Sequence, residues 1–250
     1  MTEASRVIYK ARFAVSAEDI AAAQVLRHSS FVEGSGARLR PNGLDQDTFD
    51  AHCRHVLIED TRTGALVCCF RILPINSGAE IDRSYAAQFY ELSAFQDFPG
   101  KMVELGRFCV AAGHTDPDIL RVAWAALTQI VEDESVDLLF GCSSFHGVET
   151  EAYLDAFAML KERHLAPKRW LPKVKAPDVF RFARRLRRKP DVKRAIRTMP
   201  PLLRSYLAMG GWVSDHAVVD RDLCTLHVFT GLEISAIPPA RARVLRGALG

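Results

Sequence analysis

The stretch from His55 to Ile75 limits the possible folds more than any other: HVLIED and ALVCCFRILPI flank the tetrapeptide TRTG. Both runs are rich in β-forming residues and the connection contains a glycine, so the pair predicts two adjacent antiparallel strands around a tight turn. The next apolar run, MVELGRFCVAA at residues 102–112, predicts a further strand. Asp116-Pro117 then offers an N-cap with proline at the first helical position, and Leu120, Trp124, Leu127 and Val131 recur at helical spacing. VDLLFGC is short and almost wholly apolar, as expected of a strand covered on both faces.

The flanking regions complete the order. A first strand is expected from Val7 to Val15, then a helix that Ser16 and Asp19 begin and that runs to about Ser30. A polar, Gly-rich loop from Glu33 to Asn42 and a short helix from Asp47 to Cys53 precede the hairpin. Later come helices at about Glu151–Arg163 and Leu202–Met209, and a closing pair of strands at Trp212–Val219 and Thr225–Ile234. With 250 residues, 48% of them apolar, the chain suits one α/β domain over 1–250.

Six cysteines form no CxxC pair, and the eight histidines show no metal-ligand spacing, so neither a metal nor a disulfide framework is expected. No signal pattern and no span of about 18 uninterrupted apolar residues is present, which predicts a cytoplasmic protein. The net charge of +3 is unevenly spread: Lys161 to Arg204 holds sixteen Lys and Arg against three acids, a net of +13, leaving −10 for the rest. Such a patch attracts a polyanion: nucleic acid, an anionic membrane or an acidic protein. Residues 164–204 therefore read as a basic insertion. Its Trp170, Leu171, Val179, Phe180, Phe182 and Leu186 interleave with the cations, as in an interfacial membrane helix.

This order, with Arg27 and Phe31 on the first helix, TGALVCCFRILP (63–74), ELGRFCV (104–110), LFGCSSFHG (139–147) and PPLLRSYLAMGGWVSD (200–215), resembles the GCN5-related N-acetyltransferase superfold. The resemblance is to its acyl-carrier-protein-using branch of acyl-homoserine lactone synthases and ornithine N-acyltransferases, and the closing LHVFTGLEI favours the latter. It implies a mixed, mostly antiparallel sheet flanked by helices, and direct transfer of a 3-hydroxy fatty acyl chain from acyl carrier protein to the α-amine of L-ornithine. No resident cofactor is implied, because phosphopantetheine arrives on the donor. Related coenzyme-A enzymes cradle a pyrophosphate before the second long helix. Here AAGHTDPD puts a proline and two aspartates there, which disfavours a diphosphate. The expected partners are acyl carrier protein, ornithine and the anionic inner face of the membrane, with no nucleic acid.

Glu104 and Arg107 lie three apart in a strand, on opposite faces of a regular pleat. Gly106 between them marks a bulge, which would bring both to one face and free a backbone N–H for a thioester oxyanion. The resemblance nominates Glu104 as general base; the bland alternative is a buried partner for Arg71 or Arg107. Arg71 interrupts an apolar run and needs either a carboxylate or the substrate's own. Arg27 either matches a substrate-binding arginine of the lactone synthases or is solvated. Asp45 and Asp47 either receive ornithine's δ-ammonium or cap the short helix. Phe108 and Cys109 on the bulged strand, with Ser143, Ser144 and Phe145 after the apolar strand, are expected along the pantetheine and acyl path. Tyr153 either protonates the departing thiolate or packs with Phe157 and Leu160. Rival readings are a lactone synthase, disfavoured because Phe31-Val-Glu-Gly lacks a tryptophan, and a non-enzymatic basic binding module.

Overall fold

The computed structural model describes residues 8–33, 35–38 and 42–247. Val7, expected in the first strand, and residues 34 and 39–41 of the expected Gly-rich loop lie outside them. The elements are β1 (Tyr9–Phe13), α1 (Ala17–Phe31), β2 (Arg54–Asp60), β3 (Leu66–Ile75), β4 (Tyr90–Glu91), β5 (Lys101–Val110), α2 (Pro117–Asp133), β6 (Val136–His146) and α3 (Leu154–Arg163). There follow β7 (Lys173–Val174), β8 (Val179–Phe180), α4 (Phe182–Arg185), α5 (Val192–Thr198), α6 (Pro201–Ala208), β9 (Trp212–Val213), β10 (Ala217–Asp220), β11 (Thr225–Glu233) and α7 (Pro239–Gly247).

Nine strands among the described residues form one sheet in the order β1-β2-β3-β5-β6-β11-β10-β8, with β9 on β11. Only β5 and β6 run parallel among these pairings. The hairpin expected from sequence is β2-β3, and it lies inside the sheet. Period-two alternation divides it between two layers: Leu57 and Cys69 pack under Ala23 and Leu26 of α1. Val56 and Ile58 instead join Ile119, Trp124 and Leu127 of α2 on the opposite face. Burial on both faces explains why ALVCCFRILPI is apolar almost throughout.

Three expectations are corrected here. The strand expected over Trp212–Val219 is two pieces, β9 and β10; between them Ser214 turns inward, its Oγ accepting from Phe229 N at 3.1 Å. The loop serines and Phe145 expected after a short strand lie within β6, which pairs with β11 as far as His146. Third, the aromatics of the basic segment, expected to interleave with its cations at a lipid surface, pack inward. Trp170 stacks on Phe95 with centroids 5.7 Å apart, and Phe180 and Phe182 lie 5.4 and 5.2 Å from Phe157. With β8 extending the sheet edge, the segment passes from the α1 face to the opposite one, and these aromatics are core residues. They cover sheet surface that would otherwise meet water, so they are not free to enter lipid. No helix among the described residues is long and apolar enough to cross a membrane.

Candidate active site

Opposite Phe70, β5 carries one residue too many: Cys69 faces Cys109 and Arg71 faces Gly106, so Arg107 and Phe108 share one partner. The bulge anticipated from Gly106 is therefore present, but its left-handed residue is Arg107, at φ +52°. A non-glycine there costs on the order of 1 kcal/mol, sustained by the surroundings of its side chain. The extra residue puts Glu104, Gly106, Arg107 and Cys109 on the α1 face, while Phe108 stacks on Phe70 across the sheet at 5.5 Å.

Just before the bulge, the parallel pairing of β5 with β6 stops at Leu105 and Gly141. A side chain at 141 would put its Cβ 2.2 Å from the Leu105 carbonyl oxygen, so glycine permits this last close approach. Beyond it the strands part, leaving the inner backbone of Arg107–Val110 without a ladder partner from β6. A cavity of about 600 Å³ fills the gap and passes through the sheet. On the α1 face its walls include Phe31, Arg71, Tyr85, Glu104 and Arg107; on the other they include Ile119, Leu120, Leu202 and Tyr206. The wall on the α1 face is the more polar and the one on the other face the more apolar, a volume and character suited to a small ligand with a hydrocarbon tail.

Glu104 stands at the fork, 4% exposed. Its two oxygens accept the backbone N–H groups of Tyr85 and Ala86, each at 2.7 Å, at the start of a 3-10 turn over Ala86–Gln88. It makes no ion pair with either arginine, so the alternative reading of an arginine's partner is not the arrangement seen. Burial pushes its carboxyl up to about 7, against the two N–H bonds and the nearby Arg71 and Arg107, which favour the anion. A carboxylate poised near neutrality can accept a proton at physiological pH. Tyr85, which sequence reasoning missed, faces the same chamber beneath the Arg107 guanidinium, 5.0 Å from ring centre. Burial raises its phenol, while Arg107 opposes the rise.

The arginines belong to a closed lattice. Arg27 donates to Asp45 Oδ2 at 2.9 Å and to Asp50 at 2.8 and 3.1 Å. Arg71 donates to Asp47 at 2.6 and 2.8 Å and to Asp50 at 2.5 Å. Arg107 reaches Asp45 at 2.9 Å and Asp47 at 3.2 Å. Three guanidiniums thus meet three carboxylates. Burial alone would raise the carboxyls of Asp45 and Asp50, but the arginines outweigh it and hold both below the usual range. Arg27 is 1% exposed and lies behind the cavity, not solvated on its helix. Asp45 and Asp47 are paired with arginines and neither lines the cavity, so neither is placed to receive an ammonium there; Asp47 also caps the turn over Thr48–Ala51, and the buried Asp45 Oδ1 has no hydrogen-bond partner.

The remaining candidates separate by where they point. Phe108, Cys109, Ser143 and Ser144 line the cavity. Phe145 does not: it is 1% exposed and packs 4.9 Å from Phe157. Tyr153 also lies outside the lining, where its hydroxyl donates to the His146 carbonyl at 2.7 Å, so it is not placed to reach a departing thiolate. At the N-terminus of α2, Asp116 accepts Asp118 N at 2.9 Å and the Tyr9 hydroxyl at 3.0 Å, so the helix caps itself.

The sheet is mostly antiparallel and splits at a β-bulge, with a buried carboxylate at the fork, and a model described as an acetyltransferase (GNAT) domain matches residues 26–125. In fold, the chain resembles a CoA-dependent acyl-homoserine lactone synthase at TM-score 0.52 and 16% identity, covering 97% of this chain and 89% of that one. An N-acyl amino acid synthase from uncultured soil microbes gives TM-score 0.51 at 10% identity, with 91% of each covered. Among sequences, the L-ornithine N(alpha)-acyltransferase of Rhodobacter capsulatus is 33% identical over 243 residues, 94% of this chain and 93% of its own. That of Rhizobium meliloti is 30% identical over 240 residues, 90% of this chain and 80% of its own. The chain is an N-acyltransferase, and it belongs to the L-ornithine N(alpha)-acyltransferase family.

Proposed function

We propose that this enzyme transfers a (3-hydroxy)fatty acyl chain from acyl carrier protein to the α-amine of L-ornithine, giving lyso-ornithine lipid. The observation that carries the mechanism is Glu104 at the fork of β5 and β6, ionisable near neutrality and open to a cavity with one more apolar wall. Ornithine lies on the α1 face and loses its ammonium proton to Glu104, directly or through one water. The amine attacks the thioester carbonyl in the gap, where unpaired backbone N–H groups of the bulged strand face the developing oxyanion. The thiolate leaves along β6 past Ser143 and Ser144, taking up, through water, the second proton that the attacking nitrogen sheds, while the acyl chain lies between α2 and α6. No acyl-enzyme forms, and no resident cofactor is required.

The self-capped start of α2 supports a carrier-bound donor, since Pro117 has no N–H and Asp116 Oδ1 already takes that of Asp118. The basic segment supplies a docking face for an acidic carrier: Arg184, Arg185, Arg187 and Lys189 are exposed. A peripheral membrane contact is a second reading, resting on Val192 and Ile196. These are 41% and 47% exposed, one turn apart on α5, among Lys193, Arg194 and Arg197.

The purified chain given acylated carrier protein and ornithine should form N-acylornithine, with kcat/KM for matched acyl-coenzyme A far lower. Equal values would reject the carrier-protein reading. Glu104→Gln should lower kcat by about 10²- to 10⁴-fold. In the wild type, kcat/KM should fall as pH drops through about 7, where Glu104 takes up its proton, and the variant should lose that limb. A wild-type profile flat through that range would assign deprotonation elsewhere. The amide of the variant faces one of the two N–H donors, so a thermal melt must accompany the kinetics.

A further inference from the structure

With Asp45, Asp47 and Asp50 paired to arginines, the cavity wall holds three carboxylates in no ion pair among the described residues, Glu104, Asp116 and Asp220, and one of them has an oxygen that accepts no hydrogen bond. It is Asp220, the last residue of β10, 7% exposed and part of the cavity wall. Its Oδ1 accepts the N–H groups of Asp222 and Leu223 at 2.9 and 3.0 Å and so shapes the β10–β11 turn. Its Oδ2 has no such duty. Glu104 and Asp116, the other carboxylates of the wall, already accept two donors each.

Two further acceptors on the same hairpin also lack donors. Asp220 pairs with Thr225 and Val218 with His227, so by period-two alternation Asp220, Thr225 and His227 share one sheet face. Asp220 and His227 are diagonal neighbours, about 7–8 Å apart in a regular pair. Both Thr225 and His227 line the cavity, and Thr225 Oγ1 and His227 Nε2 are buried with no hydrogen-bond partner. The tautomer of His227 follows from Tyr90, whose hydroxyl donates to the His227 carbonyl at 2.8 Å and lies 3.2 Å from Nδ1. Nδ1 must then carry the proton, leaving Nε2 as a bare acceptor. Burial holds the ring neutral, its pKa pushed down to about 3. The Cys142 thiol, raised first by burial, is also raised by Glu104 and Asp220, so one side chain lies within the field of both carboxylates.

A buried anion beside two unfilled acceptors is costly unless a cation with several donors joins it. A primary ammonium carries one positive charge and three N–H donors. We infer that Asp220, with Thr225 and His227, takes the side-chain ammonium of the acceptor amino acid and thereby selects ornithine over acceptors that lack it. This rests on the ornithine reading above; it replaces Asp45 and Asp47 as the ammonium's receptor and leaves Glu104 to the α-amine.

The test compares wild type and Asp220→Asn on ornithine and on norvaline, which has the same carbon chain without the terminal ammonium. Asparagine keeps the Oδ1 acceptor of the turn, so the fold should persist, and a thermal melt checks this. Wild type should prefer ornithine in kcat/KM by at least about 10²-fold. In Asp220→Asn the ornithine value should fall by a similar factor, mostly through KM, while the norvaline value holds, so the preference collapses. If the variant keeps the preference, or loses activity equally on both acceptors, Asp220 shapes only the turn and the inference is overturned. If the wild type acylates neither acceptor, the ornithine reading falls and this assignment falls with it.

Discussion

The lattice behind the cavity and the basic segment use the same residue, arginine, to opposite ends. In the lattice Arg27 and Arg71 are buried, Arg107 is nearly so, and each meets two carboxylates. In the segment Arg184, Arg185 and Arg187 are exposed, and no described carboxylate pairs with them. A buried guanidinium is tolerable only when matched, so its pairing fixes the loop carrying Asp45, Asp47 and Asp50 beneath α1 and β5. An exposed one gains little from a single pair and keeps its charge for a partner. Charge in a sequence therefore says little about recognition until its partners are counted. Asp220 is the converse, a buried carboxylate that no cation among the described residues pairs with.

The comparison breaks most severely at Asp50, which serves Arg27, Arg71 and the Gln24 amide at 2.9 Å. Asp50→Ala should cost about 3–5 kcal/mol of stability in urea melts, because two buried guanidiniums lose a partner. A loss below about 1 kcal/mol would mean that water fills the gap. A smaller effect, and of a different kind, is expected from neutralising Arg184, Arg185, Arg187 and Lys189 together. Stability should hold, while the KM for acylated carrier protein rises more than about tenfold and kcat at saturation stays unchanged, since each charge near an anionic surface contributes about 1 kcal/mol. Vesicle co-sedimentation of the same variant tells lipid from carrier protein, and unchanged KM and unchanged sedimentation would leave the charges merely solvated. Arg188 is excluded from the set because it neutralises Asp155, 3% exposed, at 2.6 Å.

What the sequence disclosed was local. The β2-β3 hairpin follows from its turn and runs, the start of α2 from Asp116-Pro117, and the bulge from the glycine between Glu104 and Arg107. What it concealed depends on residues far apart in the chain. Tyr85 and Ala86 reach Glu104 from the irregular stretch of 3-10 turns between β3 and β5, which has neither helical nor strand periodicity to announce it. Arg27 finds Asp45 across 18 residues and Arg107 finds it across 62, so a rule of spacing cannot show that the two share it. The aromatics of the basic segment looked amphipathic because their cover, Phe95 and Phe157, is equally remote.

The fork that ends at Gly141 also bears on the order of events. The cavity has walls on both faces of the sheet, so the proposed reaction could bring its amino acid from the α1 side and its thioester from the side of α2 and α6. On that proposal neither would have to leave before the other arrives, and no covalent way-station would be needed to hold the acyl group between visits. Geometry leaves the sequence of arrival free. It fixes only the meeting point, which lies in the plane of the sheet where two neighbouring strands let go of each other.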